Sequence, residues 1–218
     1  MFPSSEELIS VTGFYKNIQD PINLAQIRGS SGNFVFDNTG EEANVVGFEF
    51  ETRLNLVDTE QTGLNLNLNA TKMWFNQDLL PDFQYAGKTT SDLQGASDFI
   101  VNGALSYSNN KENEFVATLT GNYSSDKIFA LGAPEDFANS FELYNDEIIE
   151  KGFVTLDLVL TKKFNEHFSM NLRGQNLLNP SIDQTQKVRD IPTEIETNEV
   201  VMSYKKGVDF RIGFNYTF

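Results

Sequence analysis

Seven charged side chains stand at alternate positions within segments that otherwise alternate between apolar and polar residues. Because successive side chains of a β-strand point to opposite faces, such charges would line the wetter face of a sheet. Carboxylates and guanidinium groups in that position bind polar or charged partners, such as another domain or a passing substrate. The simpler interpretation, which we favour, is that they pair with one another and with water as ordinary lining of a polar lumen. The seven residues are Glu49, Glu51, Arg53, Asp157, Arg173, Asp209 and Arg211.

A second set of possible ligands is acidic and lies in one segment, residues 126–150. Carboxylate oxygens suit Ca²⁺, but the spacing matches no EF-hand loop, so we expect a solvated acidic loop. His167 is the only histidine, and a single histidine excludes a multi-histidine metal site. We place it in a surface turn and assign it no catalytic role. No phosphate-binding or hydrolase motif is present, so we predict no enzyme, no cofactor and no metal. The six acids are Asp126, Glu135, Asp136, Asp146, Glu147 and Glu150.

The elements that position these residues are defined best by residues 207–218, GVDFRIGFNYTF. Apolar and small or polar residues alternate there without a break, and a period of two predicts a β-strand. The length suits a strand that crosses a bilayer at a tilt, which takes about 9–11 residues. The apolar positions are Val208, Phe210, Ile212, Phe214, Tyr216 and Phe218.

Eight segments carry this strand-like alternation, and the connections between them alternate between long and short. In the second, Val46, Phe48, Phe50, Leu54 and Leu56 are predicted to share one face. This pattern predicts an all-β fold of about eight antiparallel, up-and-down transmembrane β-barrel strands, because outer-membrane barrels have short turns at one end and long loops at the other. The eight segments are residues 8–18, 44–57, 62–77, 93–107, 114–123, 153–164, 168–180 and 207–218.

The bulk composition excludes some classes of function. A net charge of −15 argues against nucleic acid, which needs basic patches. The mean hydropathy of −0.34 is compatible with membrane strands, because only alternate residues face lipid. No cysteine is present, so disulfides and thiolate chemistry are excluded. The first ten residues, MFPSSEELIS, do not form a secretion signal, so we expect a mature form or a piece of a longer chain.

Five stretches resemble the C-terminal part of a TonB-dependent outer-membrane receptor of the kind common in Bacteroidetes-type bacteria. They are GFYKNIQDPI, NVVGFEFE, LQGASDFIVNGALSY, RGQNLLNP and the ending YKKG…FNYTF. The resemblance implies a 22-stranded barrel with a plugged lumen, which imports a scarce nutrient (a siderophore, cobalamin or a glycan) with energy passed on by TonB. This sequence departs from the family because the plug and more than half of the strands are absent. We therefore expect residues 1–218 to be the C-terminal barrel segment, incomplete as a transporter on its own.

The resemblance also implies a location and partners. A terminal strand that ends on an aromatic residue resembles the signal read by the barrel-assembly machinery. The lipid, the remaining barrel and the absent plug are the other expected partners, with TonB reached through the plug. The C-terminus would be periplasmic, and the loops near Ser30, Tyr85, Phe137 and Thr193 extracellular. The signal residues would be Phe210, Ile212, Phe214, Tyr216 and Phe218.

Two features have a structural interpretation as well as a functional one. Aromatic residues near strand ends could stack on a substrate, but we favour an aromatic girdle at the bilayer interface. We interpret segment 176–180 as the end of a strand, because Pro180 has no backbone N–H to donate to a neighbouring strand. The aromatic residues are Trp74, Tyr107, Tyr123 and Tyr216.

Two other architectures remain open from the sequence. A self-contained eight-stranded outer-membrane barrel with a structural or adhesin role would pair its first strand with its last. A soluble β-sandwich would bury the apolar faces against a second sheet, but it explains neither the long strands nor the one-sided loops. A receptor segment instead predicts an open sheet, in which the first and last strands do not pair.

Overall fold

The computed structural model describes residues 7–26, 33–109, 113–134, 144–190, 193 and 195–218. These residues form strands and one 3-10 turn, Pro81–Phe83. No helix in the described part of the chain is long and apolar enough to cross a membrane. The strands are β1 (Leu8–Gln19), β2 (Ile22–Gln26), β3 (Phe34–Asn38), β4 (Glu42–Asp58), β5 (Thr62–Asp78), β6 (Thr90–Ser91), β7 (Phe99–Asn109), β8 (Phe115–Ser124), β9 (Lys127–Ala130), β10 (Tyr144–Glu150), β11 (Phe153–Lys163), β12 (Phe168–Gln175), β13 (Ile182–Asp190), β14 (Ile195–Tyr204) and β15 (Asp209–Tyr216).

The main sheet contains the eight strands that the alternation predicts. Its order is β1-β4-β5-β7-β8-β11-β12-β15, every pair is antiparallel, and the two-residue β6 is attached to β5. Neighbours along the chain are neighbours in the sheet, as in an up-and-down barrel. We name its two ends by their connections: residues 59–61, 110–114 and 164–167 connect strands at the turn end, and the four long connections leave from the loop end.

The register gives this sheet one apolar face. Residues directly opposite each other in an antiparallel pair share a face, so the pairings can be followed from strand to strand. A bulge between Asn55 and Val57 sets Val57 opposite Leu64, so Leu56 is the unpaired extra residue of β4 and its place on the apolar face stays a prediction. One apolar row crosses seven strands as Leu54, Leu66, Leu105, Leu119, Leu158, Gly174 and Phe210.

Aromatic side chains lie toward both ends of the apolar face. Tyr123 and Phe115 are eight positions apart on β8, or about 26 Å along a strand. That span suits the apolar band of a tilted transmembrane strand, which is about 25 Å tall. The loop-end set is Tyr15, Trp74, Phe99 and Tyr123, and the turn-end set is Tyr107, Phe115, Phe168 and Tyr216.

The long connections contain strands that the sequence did not predict. β2 and β3 form a hairpin, and β14-β13-β10-β9 form a second sheet, which we call the loop-end sheet. These elements enclose a small buried core at the loop end. The loop end is therefore a folded layer that covers part of the main sheet. Its core residues are Ala25, Leu79, Tyr85, Ile128 and Leu131.

The segment 176–180 forms the expected ending of β12. Asn176 and Asn179 have φ of 54° and 43°, a left-handed conformation that Asn adopts more readily than most residues. The Asn176 side chain donates to the Gly207 carbonyl at 2.6 Å, and the Asn179 side chain accepts from the Gly207 N–H at 3.0 Å. The two chain segments between the main sheet and the β13–β14 hairpin are thus bonded to each other.

Candidate functional site

The polar face of the main sheet carries all seven charged residues predicted as a set. One polar row runs Asn65, Ser106, Thr118, Val159, Arg173 and Arg211, and another runs Ser10, Glu51, Asn69, Asn102, Asn122 and Thr155. At the loop end, the β2–β3 hairpin covers this face: Asn23 donates to Thr39 at 2.6 Å and to Gln77 at 2.9 Å, all three buried. The covered face is therefore the one that carries the charges.

The structure separates the seven residues into groups. Glu49, Glu51 and Arg53 lie together on β4, whereas Arg173, Asp209 and Arg211 lie on β12 and β15. Between β4 and β11 stand three strands, so charges on those two strands are on the order of 19 Å apart across the sheet. The set is thus two clusters and not one site.

The β4 cluster is satisfied largely from within the sheet. Arg53 donates from Nη2 to Glu51 Oε1 at 2.7 Å and from Nε to the same oxygen at 3.0 Å. Glu49 accepts from the Asn69 side-chain amide at 2.7 Å. An exposed pair of this kind contributes little to stability, roughly 0–1 kcal/mol, and it leaves polar atoms free for a partner.

A shallow groove of about 440 Å³ adjoins the β4 cluster on the polar face. Its lining carries the carboxylate of Glu51, the guanidinium of Arg53 and side-chain amides from two strands, β5 and β7. Such a surface can hydrogen-bond a polar chain or ligand but holds no nucleophile beside a base. The lining includes Glu51, Arg53, Asn67, Asn69, Asn102 and Thr120.

The β12–β15 cluster has an excess of positive charge. Arg211 Nε donates to Asp209 Oδ1 at 2.9 Å, and Arg173 lies directly opposite Arg211 in the register. Among the described residues, the Arg173 guanidinium has no hydrogen-bond or ion-pair partner. A guanidinium on a shared polar face is suited to a carboxylate or phosphate of a binding partner.

Asp157 has a structural contact that the sequence did not predict. Its Oδ1 accepts from the backbone N–H of Asn176 at 2.8 Å, so it fixes the turn that ends β12. Asp157 therefore lies on the polar face as predicted for a lumen charge, but one of its carboxylate oxygens already accepts a hydrogen bond within the fold. No local pattern signals this contact, because 19 positions separate Asp157 from Asn176 and only the pairing of β11 with β12 brings them together.

The five residues of the predicted insertion signal lie along the C-terminal edge. Phe210, Ile212, Phe214 and Tyr216 are on the apolar face of β15 and are exposed, and Phe218 follows the strand. The Phe214 ring stacks on Phe168 with centroids 6.1 Å apart. These five residues form an exposed, mainly aromatic row, which we call the aromatic edge.

The loop-end layer holds several ionisable groups whose pKa values are shifted from their ordinary values. Lys88 Nζ donates to Asp146 Oδ1 and Glu147 Oε2, both at 2.6 Å, beside the fully buried Tyr85. Burial, the charge of Glu147 and that of Asp146 raise the pKa of Tyr85, against a hydrogen bond with Ser91 that lowers it. This ion pair fastens the turn at residues 85–88 to β10, and we call it the Lys88 latch.

Each of the four described acids of the predicted acidic set is paired with a lysine. Asp126 pairs with Lys151 at 2.8 Å, Glu150 with Lys127 at 3.1 Å, and the other two described acids with Lys88. Glu135 and Asp136 lie outside the described residues. In the described part of the chain, no group of three or more His, Cys, Asp or Glu side chains is placed to hold a metal. His167 is exposed at the turn end, with Nδ1 2.9 Å from the Thr217 carbonyl oxygen.

A cleft of about 440 Å³ opens between the Lys88 latch and the loop-end sheet. It carries three cations and two acids, of which Lys187 and Glu196 form an ion pair at 2.6 Å. Its charges are thus largely balanced within the chain. The lining is Ala86, Gly87, Lys88, Asp146, Lys187, Arg189 and Glu196.

Comparison with known proteins gives one finding. The family model described as TonB dependent receptor-like, beta-barrel matches residues 2–177, which extends from β1 to the turn that ends β12. No curated protein matches the chain, and no solved structure matches it.

Proposed function

The chain belongs to the family of TonB-dependent receptor-like β-barrels, and on that premise we propose that it forms the C-terminal segment of a TonB-dependent receptor barrel. The family consists of outer-membrane receptors and transporters and is not an enzyme family. The proposed cargo is a scarce nutrient: a siderophore, cobalamin or a glycan. Residues 1–218 act as one barrel segment without a plug, and the segment is incomplete as a transporter by itself.

The observation that carries this proposal is an eight-stranded sheet with one apolar face and two unpaired margins. Among the described residues, β1 pairs only with β4 in the main sheet, and β15 only with β12. In lipid each unsatisfied backbone group costs several kcal/mol, so such margins need further strands. A receptor barrel of about 22 strands supplies them. The self-contained eight-stranded barrel would need β1 to pair with β15, and the open sheet does not favour it.

The proposed orientation puts the apolar face in lipid, the loop end outside the cell and the C-terminus in the periplasm. Outer-membrane barrels place long loops outside and short turns in the periplasm, which supports this assignment. The polar face then lines the lumen. There, Glu49, Glu51 and Arg53 form one contact region, and Arg173, Asp209 and Arg211 with Asp157 form the other.

The proposed partners follow from these surfaces. The two lumen clusters contact the plug or the passing substrate, and TonB acts through that plug. The uncommitted Arg173 guanidinium supports a carboxylate-bearing partner at its end of the sheet. The barrel-assembly machinery recognises the aromatic edge formed by Phe210, Ile212, Phe214, Tyr216 and Phe218.

The function is tested by deleting the gene in the source bacterium and measuring growth when one nutrient class at a time is limiting. We expect loss of uptake of one class, and the same loss when TonB is inactivated. Re-expression of the complete gene should restore uptake, whereas residues 1–218 alone should not. Normal uptake of every class after deletion, or full restoration by residues 1–218 alone, would refute the proposal and favour the self-contained barrel.

A further inference from the structure

The strand order of the main sheet is repeated in the loop-end sheet. Along the chain, β9 follows β8, β10 precedes β11, β13 follows β12 and β14 precedes β15, so each loop-end strand continues one main-sheet strand. The main-sheet neighbours are β8-β11-β12-β15, and the loop-end neighbours are β9-β10-β13-β14. Three neighbouring pairs therefore remain neighbours after the chain leaves the main sheet.

The chain segments that link the two sheets are hydrogen-bonded to one another. These bonds keep the strand order the same in both sheets. The Gly152 N–H donates to Asp126 Oδ1 at 2.7 Å, and the Lys151 N–H donates to the Asp183 carbonyl at 2.8 Å. The bonds between Gly207 and the two asparagines of the β12 ending connect the last two links. A loop-end strand therefore cannot exchange neighbours without breaking several backbone hydrogen bonds.

The correspondence also extends to the far side of β9. The neighbour of β8 in the main sheet is β7, and the segment before β7 lies against β9: the Gly95 N–H donates to the Ile128 carbonyl at 2.8 Å. The Gln94 side chain donates to the Phe129 carbonyl at 2.8 Å. This edge of the loop-end sheet is thus covered by the continuation of the next main-sheet strand.

The opposite edge, β14, has no such cover. In the described part of the chain β14 pairs only with β13, and all ten of its residues are exposed. Val200, Val201 and Met202 are 63%, 48% and 50% exposed. Natural proteins protect long edges with proline, charges or bulges; β14 contains no proline, and of these features it has two glutamates, Glu196 and Glu199, and the bulge at Val201. β14 therefore presents a ten-residue edge that no described residue pairs, with apolar side chains at Val200, Val201 and Met202.

We propose that β14 is an interior strand of the assembled receptor, whose free edge pairs with the extracellular continuation of the strand that closes the barrel against β15. This inference rests on the proposed function, because it requires a strand beside β15. β14 and β15 form one margin, joined through residues 205–208. In the other neighbouring pairs, two strands that pair in the main sheet continue as two strands that pair in the loop-end sheet. The strand that pairs with β15 should therefore continue as a strand that pairs with β14.

The occupant is thus another part of the receptor polypeptide, in extended conformation and antiparallel to β14. Its side chains flank Val200 on one face and Met202 on the other, because the bulge at Val201 sets these two residues opposite Thr185 and Gln184. The seam that closes the barrel then runs for about 33 Å of strand beyond the main sheet, since β14 has ten residues. Barrel closure and folding of the loop-end layer become one event.

The test is residue-resolved hydrogen exchange on the protein in outer membranes of the cells that produce it. In an edge strand only alternate amides are bonded, so successive amides differ in rate, on the order of 100-fold or more. In an interior strand all amides are bonded. We expect uniformly slow exchange from Ile195 to Val200, on one side of the bulge near Val201, and along β15. The internal controls are β13, as a slow interior strand, and the turn at Glu60, as a fast one.

The other outcomes overturn the inference in distinguishable ways. Alternating exchange in β14 with uniform protection in β15 refutes the inference and leaves the proposed function intact. Alternating exchange in both strands refutes the closed receptor barrel, and the inference with it. Uniform protection of β14 together with an unprotected β15 would mean that β14 pairs with something other than the strand beside β15. That outcome also refutes the inference.

Discussion

Individual residues of β15 are expected to respond to substitution according to the face on which they lie. Ile212 is opposite Leu172 on the apolar face, whereas Arg211 is paired with Asp209 on the polar face. Ile212→Arg should cost about 2–4 kcal/mol if the position is near the bilayer midplane. Arg211→Gln removes one exposed ion pair and should cost less than about 1 kcal/mol. Denaturant unfolding of the receptor from lipid vesicles measures both, and a larger cost for Arg211→Gln would reverse the faces.

The stability of the Lys88 latch is expected to depend on pH through the two carboxyl groups that pair with Lys88. Burial, then a hydrogen bond with Asp146, raises the pKa of Glu147 above its ordinary 4.5. Burial also raises the pKa of Asp146, but hydrogen bonds with Glu147 and Lys88 outweigh it, and the pKa lies below the ordinary 3.8. A raised carboxyl pKa means that the folded state binds the proton more tightly than the unfolded chain, so protonation of Glu147 does not cost stability. Ionised Asp146 stabilises the folded state above pH 3.8, and this contribution disappears as the pH falls through its lowered folded pKa.

We therefore expect the latch to hold from neutral pH down to about pH 4 and to open only below the ordinary pKa of Asp146. Protection of the Lys88 amide, which donates to the Tyr85 carbonyl at 2.8 Å, reports the latch once intrinsic exchange is corrected for pH. Glu147→Gln should keep this protection at neutral pH, and Asp146→Asn should reduce it at neutral pH and down to about pH 4, below which the unsubstituted latch is open as well. Equal loss in the two variants would contradict the different roles of the two acids.

At the scale of elements, the ending of β12 depends on Asp157 as a hydrogen-bond acceptor. Asp157→Ala leaves the Asn176 N–H without its partner and should cost about 1–3 kcal/mol. Asp157→Asn keeps an acceptor oxygen and should cost a few tenths of that, so it is the matched control. Chemical unfolding midpoints of the receptor in detergent distinguish the two. Equal losses in both variants would show that the charge of Asp157, and not its hydrogen bond, maintains this region.

The strands of the main sheet could be predicted, whereas the strands of the loop end could not. The alternation of residues 207–218 encodes a strand by itself, because one face contacts an apolar phase along its whole length. β13 and β14 carry sequences such as ETNEVVMSY, in which polar residues occupy both faces and no period of two persists. Their strand conformation comes from pairing with each other and with β10, which is a tertiary contact.

At the scale of the whole molecule, the orientation can be tested by labelling single cysteines in intact cells. Ala86 and Thr193 are exposed at the loop end and should label from outside, whereas Glu60 and Glu166 at the turn end should not. The expected accessibility of Tyr85 is wrong, since the structure buries it completely in the loop-end core. Labelling of the turn-end pair alone would invert the orientation. Ser30 and Phe137, near which the sequence predicts extracellular loops, and Lys111, at a connection predicted to be periplasmic and not to label, lie outside the described residues.

The sequence by itself determined the number of main-sheet strands, their antiparallel order and the residues on each face. It could do so because a period of two and short turns are local properties, and a chain that meanders has little choice of neighbours. Only the tertiary structure decided that β1 and β15 stay apart, that the long connections fold into a layer, and that Asp157 and Lys88 hold this layer in place. These features depend on residues far apart in the chain: 58 positions separate Lys88 from Asp146, and no local pattern encodes such a contact.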